Sequence, residues 1–176
     1  MIHTIRKKAI IGLVFLLCSF SANNLLDGNE YNLKAMFVLN FMKYVEWPQN
    51  NDNTFRIAIA GQSEIKEALI AMIKMKPALE GKKIEIVTLE EGEVRPCQIL
   101  FIPNDESKEL LSIIKGYQGK GVLIITDDNH YASKGAAINL INIDNKIRFE
   151  IYQSQAKLAG IKISSKLSEL ATNVYP

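Results

Sequence analysis

The 176-residue chain holds two histidines, His3 and His130, and two cysteines, Cys18 and Cys97. A Ser-His-Asp or Cys-His nucleophile would have to draw on His130, because His3 sits at the head of a leader-like segment. His130 closes the run Thr126-Asp127-Asp128-Asn129-His130, and Asp127, Asp128 and His130 together offer oxygen and imidazole ligands to a divalent metal. The same residues also compose a turn, since Asp and Asn side chains hydrogen-bond their own backbone, and the turn is the reading adopted. Ser154-Gln155-Ala156-Lys157 has the S-x-x-K spacing of serine acyltransferases, but the companion S-D-N and K-T-G segments are missing. Gly116, Gly119 and Gly121 precede a strand pattern, whereas phosphate cradles follow a strand and open a helix. Cys97 opens an apolar run, where a thiol behaves as a small buried hydrophobe. No catalytic residue, metal ligand set or cofactor fingerprint emerges, so the chain reads as a non-enzyme.

The elements that must carry these residues begin after a leader. Arg6, Lys7 and Lys8 precede an apolar run from Ala9 to Cys18, followed by Ser19-Phe20-Ser21-Ala22. A basic start, a short apolar core and a small-x-small exit are the three parts of a secretory signal peptide over residues 1–21. The run is shorter than the ~20 apolar residues a membrane-spanning helix needs. Cys18 follows Leu17, where lipid attachment would want a small residue, so a lipoprotein is not read here. Cleavage after Ser21 removes three of 21 basic residues and none of the 19 acidic ones, which turns a formal +2 into −1. Such a chain has no general attraction for nucleic acid or anionic lipid. It keeps Cys97 alone, so no internal disulfide forms despite an oxidising destination.

Residues 30–176 contain no linker, repeat or low-complexity stretch, which predicts a single domain. Leu33, Met36, Phe37, Phe41, Tyr44 and Val45 follow helical spacing and predict a helix over Glu30–Trp47 stopped by Pro48. Asn40 falls within that apolar stripe and requires a hydrogen-bonding partner. Thr54–Ala60, Lys83–Leu89, Cys97–Ile102 and Gly121–Thr126 read as strands, with helices at Glu64–Lys76 and Glu106–Lys115 between them. Ala136–Ile143 and Lys146–Tyr152 are two further strands around Asp144-Asn145, the chemistry of a tight hairpin turn. Gln153–Ala159 reads as a helix capped by Gly160, Ile161–Ile163 as extended, and Ser164 or Ser165 as the cap of a last helix ending near Val174. The predicted fold is α/β: a three-layer sandwich with a mixed, mostly parallel sheet, a C-terminal antiparallel hairpin and flanking helices. Within it Trp47 is a core plug or an aromatic anchor, and Arg148 and Glu150 share one strand face, close enough to pair.

Five segments together resemble the YfiR-like family of small periplasmic proteins: YNLKAMFVLNFMKYVEWP (31–48), RIAIAG (56–61), CQILFI (97–102), GAAINLI (135–141) and RFEIYQSQAKLAGIKISSKLSELA (148–171). The most specific are the patterns KA-x-F-x-x-NF-x-K-x-x-EWP and RFEI…G-x-x-ISSKL. The resemblance implies a periplasmic repressor that binds the periplasmic region of an inner-membrane diguanylate cyclase and holds it off, lowering cyclic-di-GMP and biofilm formation. It also implies a homodimer, and small ligands are proposed to tune repression in the family without one universal ligand; the residues themselves give no cofactor, and the near-neutral mature charge gives no nucleic acid partner. Partner or ligand contacts are expected at Glu46, Trp47, Arg148, Glu150, Ser164, Ser165 and Lys166. A small-molecule-binding module without a cyclase partner is the alternative reading. Some members of the family carry a cysteine in the first strand able to bond the one opening CQILFI; here that strand reads Ile57-Ala58-Ile59, so the staple is missing. Tyr152 also follows RFEI where the family usually has asparagine.

Overall fold

A computed structural model describes residues 22–48, 52–75, 78–79, 81–104, 110–128 and 134–176. The proposed leader, residues 1–21, and His130 lie outside the described residues. The elements run α1 (Ala22–Phe41), β1 (Val45–Glu46), β2 (Thr54–Ala60), α2 (Ile65–Met75), β3 (Ala78–Leu79), β4 (Lys82–Leu89), β5 (Ile99–Ile102) and α3 (Leu110–Tyr117). Then come β6 (Leu123–Thr126), β7 (Ile138–Ile143), β8 (Lys146–Tyr152), α4 (Gln153–Ala159), β9 (Lys162–Ile163), α5 (Ser165–Leu170) and β10 (Asn173–Tyr175).

Eight strands form one sheet in the order β10-β8-β7-β6-β5-β2-β4-β3, and β1 pairs with β9 in a separate two-stranded sheet. Strands β4, β2, β5, β6 and β7 are mutually parallel. β3 joins β4 and β8 joins β7 in antiparallel fashion, while β10 returns parallel to β8. The strands at the centre are apolar on both faces because both faces are covered. Phe55, Ile57, Ile59, Ile99, Phe101, Leu123 and Ile125 meet Ala35, Val38 and Phe41 of α1 and Ile65 and Leu69 of α2 on one side. The alternate residues Ala58, Ala60, Leu100, Ile102 and Ile124 meet Ile114 and Tyr117 of α3 on the other. Those are the three layers expected. Among the described residues no helix is long and apolar enough to cross a membrane.

The hairpin forms as its sequence predicts. Asp144 and Asn145 take φ of 51° and 59°, two successive left-handed residues between β7 and β8, the pattern of a type I′ turn. Phe149 of β8 then reaches into an aromatic cluster with Phe37 and Phe41 of α1, the latter edge-on at 5.2 Å.

Helix boundaries differ from expectation: the first helix begins at Ala22 and not at Glu30, and two helix ends are displaced for a visible reason. The first helix ends at Phe41 and not near Trp47. Lys43 and Tyr44 close the helix with bonds back to Asn40 and Phe41, and the backbone beyond is taken by β9: Val45 and Glu46 pair with Ile163 and Lys162. Sheet pairing wins over helical continuation although the apolar spacing persists. The last helix ends at Leu170, and residues 173–175 become a strand on the sheet edge. Thr172 N–H donates to Phe149 O at 2.8 Å and starts that strand in register with β8.

Candidate functional site

The segment after α1 and the segment before α5 converge. Ser164 N–H donates to Tyr44 O at 2.9 Å, extending the β1–β9 pairing by one residue. Side chains then stack along this ladder. Lys162 Nζ lies 3.2 Å from Glu46 Oε2, an exposed pair that contributes little stability by itself. Ser164 has extended backbone and accepts from Leu167 N–H through Oγ at 3.2 Å, so of the two candidate serines it is the cap of α5. Lys166 places Nζ 5.7 Å from the centre of the Tyr44 ring, within cation–π range. Ser165 is exposed beside it. Trp47 packs edge-on against Phe55 at 5.2 Å, as a half-buried plug. Its indole Nε1–H is shielded from water and finds no acceptor among the described residues. Ser164, Ser165 and Lys166 thus gather beside Tyr44 at one end of the β1–β9 ladder, while Glu46 and Trp47 lie towards the other, Trp47 against Phe55.

Arg148 and Glu150 are elsewhere. They alternate with Ile147, Phe149 and Ile151 on β8, and since Phe149 and Ile151 face the core shared with α1, both project from the opposite face. Arg148 is exposed, and Glu150 turns to β10. Asn173 Nδ2 donates to Glu150 Oε1 at 2.8 Å and Tyr175 O–H to the same oxygen at 3.1 Å, with Tyr152 O–H 3.5 Å from Oε2. The Tyr152 and Tyr175 rings stack at 4.8 Å. Partial burial and the Glu150 charge push the Tyr152 phenol up to about 12. Tyr152, standing where the family usually has asparagine, therefore joins a carboxylate–phenol clip that fastens β10.

A buried ion cluster among the described residues was not read from the sequence. Lys34 on α1 is 8% exposed and sets Nζ 2.7 Å from both Asp127 Oδ2 and Glu30 Oε1, with the Tyr31 ring 5.2 Å away. Asp127 follows β6, and its other oxygen accepts from Asn104 N–H at 2.8 Å. Burial disfavours the ammonium, but the two carboxylates outweigh it and hold the Lys34 pKa above its ordinary value. Asp127 is thereby committed to a lysine and a backbone amide, and among the described residues no group of three His, Cys, Asp or Glu gathers to hold a metal. The signal was present: Glu30 and Lys34 are four residues apart on a helix whose neighbouring positions are apolar.

The remaining candidates sit quietly. Cys97 is free and buried, and desolvation pushes its thiol up to about 12, well away from a reactive thiolate. Gly121 lies in the connection before β6, with φ of 71°; a Cβ there would meet Pro48 Cγ at 2.8 Å. Ser154 and Lys157 are both exposed on α4.

Residues 31–172 match the model of the YfiR/HmsC-like family, from the second half of α1 through the end of α5. The chain belongs to the YfiR/HmsC-like family. Comparison with curated proteins returned no match. Among solved structures, this YfiR/HmsC-like chain is similar to a conserved domain protein from Vibrio cholerae O1 biovar El Tor strain N16961. The TM-score is 0.55 at 11% identity, over 82% of this chain and 60% of that one. That likeness is one of fold. The ABC domain in complex with L-Trp from Streptococcus pneumonia gives a TM-score of 0.49 at 12% identity, over 68% of this chain and 55% of that chain. The YfiR/HmsC-like chain therefore spans less than two thirds of the length of either solved chain.

Proposed function

We propose that this YfiR/HmsC-like protein is a periplasmic regulator that represses an inner-membrane diguanylate cyclase by binding its periplasmic region. The observation that carries the reading is the family match over residues 31–172, which includes both specific sequence patterns. Repression by binding requires unequal affinity: moving a cyclase from almost wholly active to almost wholly inactive takes about 5.5 kcal/mol of preference for the inactive form. The contact surface is assigned to Glu46, Trp47, Ser164, Ser165 and Lys166 on the β1–β9 ladder, with Arg148 and Glu150 on the other face of the sheet as a second patch. Mildly solubilised membranes offer the test. The protein is expected to copurify with a cyclase, and deleting its gene to raise cyclic-di-GMP; a captured fraction without a cyclase and an unchanged cyclic-di-GMP level would overturn the reading.

A second reading has its own observation. An open cleft of about 400 Å³ lies between α4 and β9, with Lys157 and Lys162 among its lining residues. This is within the size range of small-molecule sites, and Lys157, with Lys162 shared with Glu46, gives its wall an ammonium that suits an anionic ligand. Thermal-shift screening with small carboxylates and phosphates separates the two readings, because saturation at a hundred times Kd adds about 2.7 kcal/mol.

A further inference from the structure

Helices α3 and α4 line one groove of about 200 Å³, with Ile124 of β6 and Gly135 also in its wall. Each helix turns one face to it. Leu111, Ile114, Lys115 and, just past the end of α3, Gln118 follow the 3-and-4 spacing of a single helix face, and Gln155, Leu158 and Ala159 do the same on α4. Backbone bonds fix the frame. Tyr152 N–H donates to Ala137 O at 2.9 Å before α4 begins, and Gly121 N–H donates to Ala159 O at 2.9 Å where it ends. Gly121 belongs to the connection that leaves α3, so the second bond ties the two helices to each other. Leu111 is 48% exposed and Leu158 57%. A single exposed leucine is ordinary; two that converge from different helices on one cavity mark a surface meant to be covered. The charge of the wall has one sign: Lys115 and Lys134 line it, and no aspartate or glutamate does.

We propose that this groove docks one apolar side chain of another protein, carried on a segment with a carboxylate beside it. Size decides against a free small molecule, because sites for drug-sized ligands run from about 300 to 1,000 Å³. A cavity of about 200 Å³ suits a single anchoring side chain, the form in which interfaces concentrate their affinity. Charge selects the anchor's neighbour. Lys115 is exposed on the α3 face of the groove, so an aspartate or glutamate next to the anchor meets an ammonium, whereas a lysine there meets a like charge. Gln118 and Gln155 add amides able to donate to or accept from the segment's backbone. The Gly121–Ala159 bond and the burial of Ile114 and Tyr117 against the sheet set the groove before anything arrives, so docking requires little reordering of this protein. The groove shares no residue with the β1–β9 ladder or with the Arg148 and Glu150 patch. The inference goes beyond the cyclase reading, and its test uses peptides alone, so either can fail while the other survives.

Fluorescence anisotropy with short acetylated peptides is the test, each with a central leucine or phenylalanine flanked by glutamate, by glutamine or by lysine. Glutamate-flanked peptides are expected to bind about tenfold more tightly than lysine-flanked ones, with the difference shrinking as salt rises. Serine in place of the central residue is expected to abolish binding. Leu158→Lys sets a charge into the groove at an exposed position and is expected to lose binding with unchanged circular dichroism. Lys115→Glu is the decisive variant. It is expected to invert the preference, so that lysine-flanked peptides bind the more tightly, an inversion to which general apolar adhesion would be indifferent. Lys83→Glu, the same change at an exposed position on β4, three strands away from β6, is the control and is expected to bind as the unaltered protein does. No binding by any peptide, no preference among the flanks, a preference that survives Lys115→Glu, or binding that persists in Leu158→Lys would overturn the proposal. So would self-association of the unaltered protein that Leu158→Lys abolishes, since the groove would then belong to a second copy.

Discussion

Lys34 takes a full positive charge into the layer between α1 and the sheet, where it is tolerated because two carboxylates reach it at 2.7 Å. Removing one partner of a buried pair leaves the other charge uncompensated, which typically costs about 3–5 kcal/mol. Lys34→Ala is therefore expected to lower stability by about 3 kcal/mol, since Lys34 and Asp127 are both largely shielded from solvent while Glu30 is partly wet. Lys34→Met combined with Asp127→Leu is expected to recover most of that loss, because the unpaired charge disappears. Urea denaturation of the three proteins decides it. A loss below about 0.5 kcal/mol in Lys34→Ala, typical of exposed pairs, would show that water reaches the cluster freely. The same residue shows where residue-level reading stops. Glu30, Lys34 and Asp127 are each visible in the sequence, yet Asp127 is 93 positions from Lys34. Only the topology, which brings the end of β6 beside α1, turns a suspected metal ligand into a lysine partner.

Elements with local causes were legible, and those decided by distant backbone were not. The Asp144-Asn145 turn, the Gln153–Ala159 helix with its left-handed Gly160 cap and the Ser164 cap all rest on residues within a few positions of the feature. The β1 and β10 strands rest on hydrogen bonds to residues far along the chain, and the helical spacing through Val45 gave no warning of them. The candidate contacts divide in the same way: sequence proximity to Ser164 could suggest the β1–β9 group only once β9 was known to pair with β1. Ser164 also separates side-chain from main-chain roles. Ser164→Ala removes the Oγ bond to Leu167 N–H and is expected to cost about 1 kcal/mol, the usual value of an N-cap. Ser164→Pro removes in addition the N–H that donates to Tyr44 O, and is expected to cost more and to loosen β1 from β9. Amide hydrogen exchange at Glu46, whose pair with Lys162 is the next hydrogen-bonded one of the antiparallel ladder, distinguishes them: little change in the first variant, clear acceleration in the second. Equal exchange in both would mean that the ladder does not depend on the Tyr44–Ser164 bond.

At the scale of the whole molecule the titrating groups with resolved upward shifts point the same way. Cys97, Tyr117 and Tyr152 are pushed up to about 12, from ordinary values of 9.0, 10.0 and 10.0, chiefly by desolvation in each case. A raised pKa means that the folded protein holds the proton more tightly than the unfolded chain. The stability each group contributes is complete below its unfolded value and is lost as pH climbs through the window to its folded value. That window opens near 9 for Cys97 and near 10 for the two tyrosines, and closes near 12. Lys34 adds to the loss above its ordinary 10.5, because its neutral form forfeits the Asp127 and Glu30 bonds. Stability is accordingly expected to fall from pH 9 upward, with a slope of about 1.4 kcal/mol per pH unit for each proton released by the unfolded chain alone. Cys97 isolates the first step, since it begins to act before the tyrosines do. In Cys97→Ala the protein is expected to be less stable at pH 7 through lost packing, yet to show a flat profile between pH 9 and pH 10 where the unaltered protein declines. Denaturant midpoints at half-unit intervals from pH 7 to pH 11 measure both curves. Parallel profiles would mean that the Cys97 thiol ionises as easily in the folded protein as in the unfolded chain, and so that it is not desolvated by the α3 side of the sheet as the packing of Ile114 and Tyr117 against Leu100 and Ile102 implies.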